Sequence, residues 1–223
     1  MTLMRVAIFD FDGTLYPQET YTLMMNYLKN HPVHSSKYKP FYKAIMKPYL
    51  AYKMKLYPEY KMKSRSMQIY LDSLNGMSQQ EMENYFKEMS QEMRNDLNGA
   101  VVDRLQKHLI DGDHVLLVSG AFTPMLNEVT RDYAIHSVIG TEIPFRDGAL
   151  DTNTPIYHIQ GERKNEMIDK ALEGYDIDWE NSFAYGDSIS DITVLELVGN
   201  PVAVRPENRL KAIAEERKWE IIW

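Results

Sequence analysis

The amino-acid sequence predicts an α/β fold: a doubly wound, mostly parallel sheet with an inserted all-helical region and a small β-hairpin flap. Three observations predict it. Apolar, partly β-branched runs recur at Arg5 to Phe9, Val115 to Val118, Ser182 to Tyr185 and Val202 to Val204, and the first three run straight into turn or polar residues. From residue 97 onward these runs alternate with helical patterns, as they do in a parallel sheet covered by helices on both faces. Residues 16–95 keep helical spacing and lose strand alternation, so they form an insertion between core parts 1–15 and 96–223.

In chain order, Arg5 to Phe9 reads as a buried strand that stops at Asp10 and Asp12, with Gly13 easing the exit and Thr14 offering a hydroxyl. Glu19 to Lys29 places Leu23 and Tyr27 at helical spacing, and Pro32 limits its continuation. Tyr38 to Lys63 is interrupted by Pro40, Pro48 and Pro58, which predicts short helices with turns between them. Ser66 to Leu74 and Ser78 to Met93 read as two longer helices. The second starts with Ser78 and Glu81 at capping-box spacing.

Ala100 to Ile110 is an amphipathic helix, and Val115 to Val118 a strand ending at Ser119-Gly120. Pro124 to Tyr133 is helical, Ser137 to Ile139 a short strand, and the Asp147-Gly148 pair within residues 141–152 marks a hairpin flap. Glu162 to Leu172 is a helix, Ser182 to Tyr185 a strand running into Gly186-Asp187-Ser188-Ile189-Ser190-Asp191. Helix Ile192 to Leu197, strand Val202 to Val204, helix Glu207 to Glu216 and an edge strand Glu220 to Ile222 complete the chain.

The 223 residues carry no cysteine, which excludes disulfides, thiolate metal sites and a cysteine nucleophile. No run approaches a membrane span, and the N-terminal stretch lacks the apolar core of a leader, so a cytoplasmic protein is expected. The net charge of −7 gives no global attraction for nucleic acid. That average hides an asymmetry. Between Lys29 and Arg65 ten basic residues face the single acid Glu59, a net +9 that leaves −16 on the remainder. The bland reading of this segment is a solvated helical face. Its interleaved Tyr and Met residues pack a small core or, alternatively, contact a lipid surface or a nucleic-acid strand.

A parallel sheet sends the carboxyl ends of its strands to one edge. There the sequence places Asp10 and Asp12, Ser119 and Gly120, then Asp187 and Asp191. Acids gathered around one point repel unless a cation neutralises them, and all-oxygen surroundings suit Mg²⁺ rather than zinc. Lys164 at a helix start adds a positive charge. Taken singly, Ser119-Gly120 is a common strand-to-turn pair and Lys164 a solvated helix residue; in this order they form a site for a phosphoryl group. The six histidines are scattered without a metal-like cluster and are read as structural.

Asp10-Phe11-Asp12-Gly13-Thr14, Ser119, Lys164 and Gly186 to Asp191 resemble, in order, the four motifs of the haloacid dehalogenase-like phosphohydrolases, which have a Rossmann-like core and, at this insertion point, a helical cap. The resemblance covers roughly residues 3–15 and 97–205. It implies that Asp10 is the nucleophile forming an aspartyl phosphate and Asp12 the general acid and base. It further implies that Ser119 and Gly120 bind the phosphoryl group with Lys164. Asp10, the Asp12 carbonyl and Asp187 would hold Mg²⁺, and Asp191 would support the metal shell.

The layout is similar to that of phosphoserine phosphatases. Glu19 stands where those enzymes have a glutamate reading the substrate amine, and Arg65 is the candidate for its carboxylate. Departures from their pattern are Gly13 for the usual Ser, Ala121 for Gly, and Ser188 and Ser190 for Gly and Asn. The expected substrate is therefore a small-molecule phosphomonoester, either phosphoserine or another anionic ester such as a sugar phosphate, nucleotide or lipid-derived phosphate. A phosphate-binding regulatory protein without turnover is the alternative of a different class.

Overall fold

The computed structural model describes residues 3–223. Strand β1 (Val6–Phe9) is followed by four helices, α1 (Thr20–Asn30), α2 (Tyr38–Lys53), α3 (Glu59–Ser73) and α4 (Gln79–Met93). Then come α5 (Gly99–Asp111), β2 (His114–Phe122), α6 (Thr123–Val129), β3 (Ser137–Thr141) and the two-residue strands β4 (Phe145–Arg146) and β5 (Ala149–Leu150). The chain closes with α7 (Glu162–Ala171), β6 (Phe183–Gly186), α8 (Ile192–Leu195), β7 (Asn200–Val204), α9 (Asn208–Arg217) and β8 (Glu220–Ile222).

The main sheet has the order β3-β2-β1-β6-β7-β8, and each neighbouring pair is parallel. Strand β1 therefore sits at the point where strand order reverses, between β2 and β6, which is where such sheets open a crevice beyond their carboxyl ends. Alternate β1 residues face opposite cores. Ala7 and Phe9 join the cluster shared with the inserted helices, while Val6 and Ile8 join the one beneath α7, α8 and α9.

The inserted helices are tied to the core by packing. Phe86 of α4 lies against Phe122 at the end of β2, with ring centroids 5.4 Å apart. Inside the insertion, the buried Tyr70 hydroxyl is 2.6 Å from that of Tyr85 and donates to the Met24 carbonyl. Methionines 62, 67, 82, 89 and 93 fill the space around them, which suits their flexible, unbranched side chains. The capping box at Ser78 and Glu81 is present as expected.

Three elements depart from the sequence-based expectation. Helix α2 runs unbroken through Pro48, and α3 starts at Glu59, directly after Pro58, rather than at Ser66. Pro40 lies in the first turn of α2, where a missing N–H costs nothing. Pro48 forfeits one helical hydrogen bond, and burial of Phe41 and Ile45 on the turns before it keeps the helix continuous. Strand β2 does not end at Ser119-Gly120 but continues to Phe122 through a register irregularity against β3. The irregularity takes Ser119 and Gly120 out of the regular ladder. The flap forms as expected, with Asp147 and Gly148 both at positive φ. It docks on the insertion through Gln79 N–H to the Gly148 carbonyl and Leu150 N–H to the Met77 carbonyl.

Candidate active site

Asp10 extends the β1 ladder by one step, its N–H donating to the Tyr185 carbonyl at 3.0 Å, and the chain then folds into a tight turn with Tyr16 N–H bonded to the Phe11 carbonyl. Gly13 adopts φ +77°, and a Cβ added there would stand 2.2 Å from the Asp187 carboxylate. The turn thus packs bare backbone directly on the acid that follows β6. Replacing Gly13 with Ala combines left-handed strain with this collision, and Asp187 must move. The G13A variant is expected to lose at least about tenfold in kcat/KM and to show a weaker rise in Tm on adding Mg²⁺, read by calorimetry. Thr14, by contrast, is fully buried, and its hydroxyl has no partner and does not face the cavity.

Lys164, in the first turn of α7, reaches Asp10 Oδ1 and Asp191 Oδ1, each at 2.6 Å. All three side chains are buried. Oxygens of Asp10, Asp187 and Asp191 lie within 4.8 Å of one another. Burial, then the Asp191 charge, pushes Asp10 well above the usual carboxylate range, with Lys164 opposing. Asp187 is pushed up to about 7, chiefly by burial and then by Asp191 and Glu19. Burial alone would lower Lys164, but Asp10 and Asp191 outweigh it and hold the ammonium above its ordinary value. Three carboxylates against one ammonium form an oxygen cluster short of positive charge, a donor set that fits a hard divalent cation such as Mg²⁺. Between Asp187 and Asp191 the chain makes a single 3₁₀ turn, Ile189–Asp191, and Asp191 Oδ2 accepts from the N–H and hydroxyl of Ser188.

Asp12 points to the insertion. Its Oδ1 accepts the Thr20 N–H at 2.9 Å and its Oδ2 the Thr20 hydroxyl at 3.1 Å, so it takes up a free N–H at the positive end of α1. Burial, then the neighbouring Glu19 charge, nevertheless raises Asp12 to about 6. Glu19 itself is exposed and lines the same cavity. Thr20 was not legible as a site residue; its adjacency to Glu19, at a helix start, was the available signal.

The cavity has a volume of about 500 Å³ and lies between the strand ends and the insertion. Asp10, Asp12, Ser119, Gly120, Lys164 and Asp187 line its floor, and Tyr21, Tyr49, Tyr52, Met62 and Met67 line the opposite side. Ser119 is buried, and its hydroxyl accepts the Ala121 N–H at 3.1 Å. Arg65 is exposed on α3 and does not line the cavity; Lys63, two residues earlier, does.

His158 is a residue that sequence reasoning left as structural, because it has no metal-ligand partners. It is buried on the cavity wall with Nε2 pressed against Gly120, where a Cβ would stand 2.6 Å away. Its position six residues before Lys164, in the same approach to α7, was the only cue. Burial, then Lys63 and Arg163, lowers His158 to about 4 from an ordinary 6.5, so it is neutral at pH 7. The unfolded chain takes up this proton below about pH 6.5 while the native one refuses it until about 4, so His158 subtracts stability as pH falls through that window. The H158Q variant is expected to flatten the loss by up to about 3 kcal/mol, measured as the difference between urea midpoints at pH 7.5 and 4.5 in the two proteins.

Among the described residues no helix is long and apolar enough to cross a membrane. A model of the haloacid dehalogenase-like hydrolase family matches residues 7–196. The inhibition of morphological differentiation protein of Streptomyces azureus is 29% identical over 164 residues, covering 70% of this chain and 57% of that protein. The chain spans about half the length of the curated relatives it matches. A protein of unknown function from Bordetella pertussis Tohama I has the same fold, with a TM-score of 0.81 at 24% identity over 100% of this chain and 99% of that one. A substrate-bound phosphoserine phosphatase has it as well, with a TM-score of 0.63 at 18% identity over 100% of this chain and 94% of that one. With its family match spanning both core parts and the insertion between them, the chain belongs to the haloacid dehalogenase-like hydrolases, in the helical-cap architecture it shares with phosphoserine phosphatase.

Proposed function

We propose that the chain is a Mg²⁺-dependent phosphomonoester hydrolase working through an aspartyl phosphate on Asp10. The observation that carries this reading is the Lys164 ammonium bridging Asp10 and Asp191 beside Asp187, with Asp12 held separately by Thr20. A carboxylate tied by one oxygen to an ammonium keeps its other oxygen free for attack. Asp10 attacks phosphorus and the bond to the alcohol oxygen breaks, with Asp12 giving its proton to that oxygen. Asp12 then takes a proton from water, which attacks the aspartyl phosphate, releases inorganic phosphate and regenerates Asp10. Asp12, raised to about 6, is suited to both directions of proton transfer near neutral pH.

Ser119 and the Gly120 backbone would orient the phosphoryl oxygens, and Lys164 would hold Asp10 in place while offsetting charge. Asp10, Asp187 and the Asp12 carbonyl would hold Mg²⁺, with Asp191 supporting them; the bound ion would neutralise the phosphoryl oxygens. The inserted helices along one side of the cavity would limit water around these charges.

Phosphoserine is the narrower reading, supported by Glu19 at the cavity and by the likeness to phosphoserine phosphatase. A bulkier alcohol is supported by the tyrosine- and methionine-lined volume of the cavity and by the position of Arg65 outside it. The test is phosphate release from a panel of phosphomonoesters with Mg²⁺ or with chelator. Metal-dependent turnover supports the hydrolase reading, and a phosphoserine preference that E19Q removes supports the amino-acid form of it. Tight phosphate binding without release from any ester would leave a binding protein instead.

A further inference from the structure

Seven of the twelve large apolar side chains exposed among the described residues fall between Val33 and Tyr60, and five of them cluster where α2 hands over to α3. Leu50 and Met54 stand one helical turn apart at the end of α2, Leu56 lies in the connecting loop, and Tyr60 opens α3. Leu56 is 73% exposed and Met54 68%. A solvated helical face would place polar side chains at these positions. The charges around them are of one sign: Lys47, Lys53, Lys55 and Lys61 surround the patch, with Glu59 the one acid between residues 29 and 65. Lys53 lies over the Tyr49 ring at 5.4 Å and Lys61 over Tyr60 at 5.9 Å, so ammonium groups sit directly beside apolar surface.

This tip is also the rim of the cavity. Tyr49 and Tyr52 belong both to the end of α2 and to the cavity wall. The Gln160 side chain donates to the Tyr60 carbonyl at 2.7 Å, fastening the tip to the segment that carries His158. Whatever the tip rests on is therefore presented to the mouth of the site.

We propose that the α2–α3 tip seats on an anionic lipid surface and that the cavity takes the phosphomonoester headgroup of a lipid. The inference rests on the phosphomonoesterase reading above and names its substrate class. Apolar side chains entering the headgroup region, ringed by lysines and tyrosines, are the composition of a surface-binding element. Charge selects this occupant over a second copy of the chain joined tip to tip, because that contact would bring two strongly basic segments together. The −16 carried elsewhere turns the rest of the molecule away from the same surface, which fixes its orientation. In the cavity, Tyr21, Met62 and Met67 offer apolar contact to the glycerol and the first acyl carbons. The reaction consumes water and the lipid phosphate, breaks the P–O bond on the phosphorus side and leaves the lipid alcohol in the bilayer.

The test is flotation of the full chain with phosphatidylcholine vesicles, with and without phosphatidylglycerol, alongside hydrolysis of phosphatidate in those vesicles and of soluble p-nitrophenyl phosphate. Flotation is expected with the anionic vesicles alone and is expected to weaken at high salt. The triple variant L50S/M54S/L56S is expected to lose at least about tenfold in vesicle binding and in phosphatidate hydrolysis, with p-nitrophenyl phosphate turnover unchanged. The pair K47E/K53E, which keeps the apolar residues, is expected to lose binding in the same way and guards against misfolding of the triple variant. Absence of flotation, flotation that neither variant weakens, flotation without phosphatidate hydrolysis, or a dimer that the triple variant dissociates would each overturn the proposal. Loss of p-nitrophenyl phosphate turnover in the unmodified chain would instead overturn the hydrolase reading beneath it.

Discussion

Asp10→Asn is expected to abolish turnover while leaving the fold at least as stable as before. The amide keeps the size and one acceptor oxygen of the carboxylate but has no anionic oxygen to bond to phosphorus. A fall in kcat/KM of at least about a thousandfold is expected, equivalent to ~4 kcal/mol of lost transition-state stabilisation. Stability moves differently. Burial and Asp191 already disfavour the ionised Asp10, so its neutral replacement relieves repulsion, while Lys164 keeps Asp191 as a partner at 2.6 Å. Without divalent cation the Tm of D10N is expected to equal or exceed that of the unmodified chain. On adding Mg²⁺ the order reverses, because D10N has fewer charged oxygens to bind the ion and gains less from mass action. Phosphate release at the normal rate by D10N would remove Asp10 as nucleophile, and a large fall in Tm without metal would show that its charge is structural.

The sheet and the acids at its edge were legible because each rests on local chemistry. A β-branched run ending in Asp10, or in Gly186-Asp187, announces both a strand and its polar exit, and the parallel topology then brings those exits together. The helical insertion was legible as a class but not in detail. Pro48 reads locally as a break, yet packing of Phe41 and Ile45 outweighs one missing hydrogen bond. Thr20 and His158 were illegible for another reason. Thr20 matters only because α1 starts where its N–H and hydroxyl meet Asp12, and His158 only because its loop returns against Gly120. Neither meeting has a periodicity or spacing that a sequence can display. Arg65 shows the converse: its residue type suited a carboxylate, but the helical phase of α3 turns Lys63 rather than Arg65 to the cavity.

Lys164→Met is expected to be the most destabilising single change at the site. The ammonium is buried with two carboxylates at 2.6 Å, and methionine fills its volume without its charge. The enclosed acids of the cluster then have no counter-charge, a situation that typically costs about 3–5 kcal/mol when one partner of a buried ion pair is removed. Part of that cost is escaped by protonation, since Asp10 is already raised and loses the one group that pulled it down. K164M is therefore expected to regain more stability on mild acidification than the unmodified chain, whose Asp10 is held down by Lys164, and to regain it at neutral pH on adding Mg²⁺. The double variant K164M/D191N separates the electrostatic account from simple loss of packing. Removing the second carboxylate should restore at least about 1 kcal/mol of the loss if repulsion causes it, and nothing if a cavity does. Catalysis is expected to stay low in both, because nothing then neutralises charge beside Asp10, the proposed nucleophile, or fixes its orientation. Urea midpoints of the four proteins in this cycle, at neutral pH without metal, decide the matter: additive losses would mean that Lys164 stabilises the fold through its methylenes, and a rescued double variant that it does so through its charge.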